Sequence, residues 1–183
     1  MNNPKKEARI LVVSDTHGRS RLLQKLIKEE SPFDMLIHCG DVEHDLYKDL
    51  GTANPFQIYV VKGNMDGLSY SRELLIEIAG HRIYVTHGDS LNVRYTNEGL
   101  YAKAREKKAD VVLFGHTHVQ EIEEHNGIFL MNPGSLTYPR NPQRIPTYGI
   151  LKLREGEYPQ TYLYTVPLSC GASKVSQILH RHG

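Results

Sequence analysis

Cysteine is scarce in this chain: two residues, Cys39 and Cys170, in a length of 183. That is too few for a disulfide framework, so the stapled small secreted domain is excluded and a reducing, cytoplasmic setting is expected. Long apolar runs are missing too. No stretch approaches the roughly 18 to 20 residues that span a bilayer, so no membrane partner is expected. The start MNNPKKEARILVV has no small-residue cleavage site after its apolar run, which argues against a signal peptide. Nor is there an excess of one charge. Lys plus Arg number 22 and Asp plus Glu 21, a formal charge of +1, which offers no broad basic field for extended nucleic acid. With 39% apolar and 23% charged residues the chain reads as globular. One domain over residues 1–165 is expected, followed by a tail or short helix over 166–183.

Histidine is what the chain has in quantity: ten residues, several beside Asp or Gly. Their setting follows from the hydrophobic pattern. Ala8–Val13 is a continuous β-branched run suited to a strand covered on both faces, and it breaks at Ser14-Asp15-Thr16-His17-Gly18. Arg19–Glu30 carries Leu22, Leu23, Leu26 and Ile27 at helical spacing and stops at Ser31-Pro32. Met35–His38 and Gln57–Val61 are further strands, ending in Cys39-Gly40-Asp41 and Lys62-Gly63-Asn64. Glu73–Ile78 and His81–Thr86 form a hairpin followed by His87-Gly88. Asn97–Lys108 is a helix, and Asp110–Phe114 a strand that ends in Gly115-His116-Thr117-His118. Two late hairpins turn at Asn126-Gly127 and Glu155-Gly156-Glu157. Parallel strands with helices early and hairpins late predict an α/β layered domain with two sheets packed together and helices outside.

Five predicted strands therefore end in Asp15 and His17, Asp41, Asn64, His87, and His116 and His118. In such folds ligands gather at the carboxyl ends of strands, so residues scattered in sequence can converge in space. All seven offer nitrogen or oxygen, which suits Mn, Fe, Co, Ni or Zn and not an iron–sulfur cluster. Seven donors exceed one tetrahedral ion. Two ions roughly 3.5 to 4 Å apart, sharing a carboxylate, accommodate them.

These blocks resemble the calcineurin-like metallophosphoesterases, whose pattern D-x-H, G-D, G-N-x-D/E, H-G and G-H-x-H is met in order by Asp15-Thr16-His17, Gly40-Asp41, Gly63-Asn64-Met65-Asp66, His87-Gly88 and Gly115-His116-Thr117-His118. Asn132-Pro133-Gly134-Ser135 through Pro139-Arg140 is similar to the small prokaryotic phosphodiesterase branch, which itself resembles the retromer small subunit. The resemblance implies a metallophosphoesterase-like sandwich of two mixed β-sheets flanked by helices. It assigns Asp15, His17 and His118 to one metal, Asn64, His87 and His116 to a second, and Asp41 to the bridge. Two divalent ions follow, Mn first, with Ni, Zn, Fe or Co as alternatives. The implied reaction is hydrolysis of a small phosphoester or nucleotide, foremost a diester, by a metal-bridging hydroxide, with Asn64 helping to neutralise developing charge. A phosphomonoesterase, a nucleotide pyrophosphatase or a non-catalytic binding scaffold are the alternatives. One position departs from the pattern. Many members carry a histidine after G-N as proton donor to the leaving oxygen, and here Met65 stands there, which favours good leaving groups.

Other residues carry weaker expectations. His38 is either a support for the Asp41 loop or a satisfied core histidine. Arg140 is a candidate phosphate contact. Cys39 reads as a small buried residue and Asp66 as non-catalytic. His44 reads as a surface residue. His81, His125, His180 and His182 are expected to face solvent, and the late tyrosines, among them Tyr148, Tyr158, Tyr162 and Tyr164, to pack on sheet faces. Apolar edge strands leave a homo-oligomer open.

Overall fold

The computed structural model describes residues 5–51, 53–67, 70–166 and 177–178. Cys170, His180 and His182 lie outside them, as does most of the expected tail. Chain order is β1 (Glu7–Val13), α1 (Ser20–Glu30), β2 (Met35–His38), α2 (Leu46–Leu50), β3 (Gln57–Val60), β4 (Glu73–Ile78), β5 (His81–Thr86), α3 (Glu98–Lys107), β6 (Val111–Leu113), β7 (Gln120–His125), β8 (Ile128–Pro133), β9 (Thr147–Arg154), β10 (Gln160–Thr165) and β11 (Gln177–Ile178). The first sheet has the order β11-β10-β9-β1-β2-β3 and the second β4-β5-β6-β8-β7. Both are mixed. Strands β1, β2 and β3 run parallel, as do β5, β6 and β8, while β9, β10, β4 and β7 pair antiparallel.

Alternation along β1 explains the layers, because successive side chains of a strand point to opposite faces. Ile10 and Val12 enter an apolar cluster between the sheets, with Ile37, Val85, Leu113, Met131 and Leu151. Leu11 and Val13 face the other way, onto Leu23 and Leu26 of α1. On the second sheet Val112 and Phe114 meet Leu100, Tyr101 and Ala104 of α3. Each fully buried Val, Leu, Ile, Phe or Met among them contributes roughly 1.5–3 kcal/mol. The result is helix, sheet, sheet, helix, the α/β sandwich expected from the sequence.

Differences from the sequence reading are local. Helix α2 is short, and its signal was Asp45, whose carboxylate accepts the N–H groups of Tyr47 and Lys48 as an N-cap. Tyr148 is buried and stacks on Tyr164, whereas Tyr158 lies just ahead of β10 and is 80% exposed. Within the stretch expected as a tail or short helix, Gln177–Ile178 pairs antiparallel with β10.

Candidate metal centre

The loops that follow β1, β2, β3, β5 and β6 meet at one end of the sandwich. Backbone bonds knit them: Asp15 N–H donates to the Gly40 carbonyl at 3.0 Å, His17 N–H to the Asp41 carbonyl at 3.0 Å, and Gly115 N–H to the His87 carbonyl at 3.1 Å. The backbone is strained where the donors sit. Asp15, His17, Asp41, His116 and His118 have φ between 43° and 69°, and so does Glu43. A left-handed φ costs a non-glycine residue about 1–2 kcal/mol, and such strain persists only where surrounding contacts hold it. Close packing of the loops also demands glycine at Gly63, where a Cβ would overlap the Asp41 carboxylate.

The orientation of three imidazoles is the central feature. His17 Nδ1 meets Glu43 Oε1 at 2.6 Å, His87 Nδ1 meets the Cys39 carbonyl at 2.7 Å, and His118 Nδ1 meets the Tyr138 carbonyl at 2.7 Å. An oxygen acceptor at Nδ1 requires a proton there, so each neutral ring turns a bare Nε2 inward. These nitrogens converge: His17 Nε2 lies 3.4 Å from His118 Nε2. His118 Nε2 lies 3.1 Å from Asp15 Oδ1, and His87 Nε2 3.4 Å from Asp41 Oδ2. Two groups result, Asp15-His17-His118 and Asp15-Asp41-His87, the donor atoms of each within 4.8 Å of one another. Asp15 Oδ1 and His87 Nε2 are buried without a hydrogen-bond partner. Inward lone pairs with outer hydrogen bonds at the far ring nitrogen are the arrangement of metal-bound histidine, so the residues fit a divalent cation.

Electrostatics agree. Burial raises the Asp15 carboxyl, but His118 and His87 outweigh it and leave it below the usual range. Burial disfavours a charged His87, yet the Asp41 and Asp15 carboxylates raise its pKa to about 9. Without a cation, His87 Nε2 therefore keeps a proton at neutral pH, and a divalent ion drawn by the same carboxylates would displace it. His116 is lowered, by burial and then by His87 and Arg94.

The remaining expected residues sit around this cluster. Asp15 occurs in both groups and Asp41 in the second, beside His87. Asp41 Oδ1 accepts the Met65 N–H at 2.8 Å. His116 lies at the rim, its ring 5.1 Å from that of His87 and its Nε2 accepting from Arg94 Nε at 3.0 Å. Asn64 is exposed at the turn after β3. Arg140 is exposed, and its N–H donates to the His118 carbonyl at 2.9 Å. His38 supports the loops: Nδ1 accepts from Gly40 N–H, so Nε2 donates to Thr16 Oγ1 at 3.0 Å, and burial lowers its pKa to about 4. Cys39 is buried and free. His44 is half-buried and pairs with Asp49.

Several supporting roles were not read from the sequence. Asp66 accepts the N–H groups of Asp41 and Gly63 at Oδ2 and of Glu43 at Oδ1, so one buried carboxylate anchors two ligand loops. Asn132 Nδ2 donates to the Gly115 carbonyl and Ser135 Oγ to the Asp15 carbonyl, which gives the Asn-Pro-Gly-Ser stretch a positioning role. Glu43 and Arg94 had no sequence signal at all. His81 corrects an expectation: it is 8% exposed, with Nδ1 on Asp110 at 2.5 Å and Nε2 on the Arg154 carbonyl at 3.1 Å.

Comparison with known proteins gives the same picture. Residues 9–156 match the calcineurin-like phosphoesterase superfamily domain. The chain is 39% identical over 148 residues to a probable metallophosphoesterase of Bacillus subtilis, a match covering 79% of this chain and 83% of that one. It is 30% identical over 175 residues to a phosphodiesterase of Methanocaldococcus jannaschii, covering 85% and 99%. Among solved structures, Entamoeba histolytica Vps29 complexed with zinc shares the fold with a TM-score of 0.75 at 24% identity, over 93% of this chain and 98% of that one. The chain belongs to the calcineurin-like phosphoesterase superfamily, and with it to the phosphoester hydrolases.

Proposed function

We propose that this chain is a cytoplasmic two-metal phosphodiesterase acting on small phosphoesters or nucleotides. The observation that carries the reading is the inward convergence of bare Nε2 atoms from His17, His87 and His118 on the Asp15 and Asp41 carboxylates. Asp15, His17 and His118 would hold one cation and Asn64, His87 and His116 the other, with Asp41 the carboxylate offered to both. Bound divalent ions, Mn first, supply Lewis acidity toward phosphoryl oxygens and an activated water.

The chain's own residues do the rest. Asn64, exposed at the turn after β3, offers an amide donor to the charge that develops on phosphorus oxygens. Arg140, tied through its backbone to His118, would grip a non-bridging oxygen with its guanidinium. Met65 is 58% exposed at the position where the family resemblance implies an acid histidine, and a thioether has no proton to give the leaving group. General-acid catalysis is worth typically 10²–10⁴-fold, so esters with stable leaving groups are favoured. The activity named for the Methanocaldococcus relative supports the diester side.

The test is elemental analysis of protein purified without chelator, with assay of an activated diester beside its monoester in added Mn. Near two ions per chain and diester turnover lost in Asp41→Asn is the expected result. Two ions without turnover on either ester would leave a binding scaffold, and no metal would overturn the reading.

A further inference from the structure

The two halves of the centre have outer supports of opposite charge. His118 and His87 donate Nδ1–H to neutral carbonyls, but His17 donates to a carboxylate, Glu43 Oε1 at 2.6 Å. Glu43 is built into place. Its φ is 65°, and its N–H donates at 2.6 Å to Asp66, the residue that also holds Asp41. On the other half, Arg94 Nε donates to His116 Nε2 at 3.0 Å and brings a fixed positive charge against a candidate ligand. Asp89, an acidic residue outside the donor groups that also acts on His116, lies 3.8 Å from Arg72.

We propose that Glu43 is the positioning residue of the Asp15-His17-His118 position, and that Glu43 and Arg94 together make the two positions fill in order, this one first and the Asn64-His87-His116 one second. The inference rests on the two-metal reading above. A carboxylate behind a metal-bound imidazole fixes its tautomer, raises its basicity and adds attraction for the cation; loss of such a partner typically costs 10- to 100-fold in metal affinity. Arg94 acts in the opposite sense. His116 Nε2 must leave the guanidinium before it can coordinate, and the guanidinium then repels the cation beside it. Scarce metal therefore yields a chain with one ion at the His17 corner, and the second ion enters at higher concentration.

The experiment is calorimetric titration of the metal-free full chain with Mn²⁺, alongside elemental counting of the ions retained after gel filtration. Wild type is expected to bind in two steps separated by roughly tenfold or more. Glu43→Gln, close to isosteric but uncharged, should weaken the tight step by roughly 10- to 100-fold and leave the weak step in place. Glu43→Asp, which keeps the charge, should recover part of that loss. Arg94→Gln should strengthen the weak step alone. Melting of the metal-free variants checks their folding, and Arg94→Gln decides the ordering even if Glu43→Gln does not fold. Two equal steps in wild type, an equal loss on both steps in Glu43→Gln, or a weaker second step in Arg94→Gln would overturn the inference. Ordered binding without ester turnover would leave it standing and overturn only the proposed activity, whereas absence of Mn²⁺ binding would overturn both.

Discussion

His118 Nε2 and Asp15 Oδ1 face each other at 3.1 Å, and neither atom has a hydrogen to share in the neutral-imidazole form. The Tyr138 carbonyl fixes the ring proton of His118 at Nδ1, and the carboxylate is an acceptor only. Two buried acceptors at hydrogen-bond distance repel unless a proton or a cation lies between them. Both residues have left-handed backbone, which persists only because the surrounding loops hold them in place.

Metal should therefore stabilise the folded chain. At 100 times its dissociation constant a ligand bound only to the native state contributes about 2.7 kcal/mol, which is roughly 5–10 °C in a domain of this size. Differential scanning calorimetry of chelator-stripped protein with and without added Mn²⁺ measures it. Identical melting points would show that the repulsion is relieved by protonation alone.

Asp66 touches no candidate donor atom, yet its removal should damage the site. Asp66→Ala leaves the N–H groups of Asp41, Gly63 and Glu43 without their acceptor. Unsatisfied buried donors cost roughly 1–3 kcal/mol each when water cannot reach them. Urea unfolding of the metal-free protein should show a loss of about 3 kcal/mol, and Mn²⁺ binding should weaken with it. Unchanged urea midpoint and metal affinity would refute the anchoring role.

His81 provides the contrast, because it clasps the sandwich away from the metal loops. Its ring joins Asp110, ahead of β6, to the Arg154 carbonyl at the end of β9 in the other sheet. His81→Ala should cost about 1–3 kcal/mol in urea unfolding while Mn²⁺ stoichiometry stays at the wild-type value. A change in stoichiometry would show that the clasp reaches the site.

Glu73 predicts a dependence on acid. The Tyr84 hydroxyl donates to it at 2.9 Å and Lys107 lies 3.2 Å away, and these partners hold its carboxyl below the usual glutamate value. A folded pKa below the unfolded one gives stabilisation that is present above about pH 4.5 and is lost as pH falls through the folded value. The stability gap between wild type and Glu73→Gln should shrink between about pH 5 and about pH 3 in parallel urea series. A gap constant across that range would contradict the assignment.

What the sequence disclosed and what it hid divide by range of interaction. Strand β1 and helix α1 were legible because period-2 and period-3.6 patterns are local, and the loop blocks stood out because Asp, His and Gly interrupt apolar runs. Glu43 reaches His17 across 26 positions, and Arg94 reaches His116 across 22. No local pattern announces either pair. His81 misled for the same reason: beside a hairpin turn it read as exposed, but Asp110, 29 positions away, covers it. The shared place of Asp15 in both donor groups likewise depends on how two loops approach, which strand patterns do not encode.

The candidate ligands all lie beyond the ends of their strands, outside the three apolar clusters that hold the sandwich together. The packing of the apolar body thus depends on no single ligand. A lineage that lost one imidazole would inherit an intact body with a silenced end.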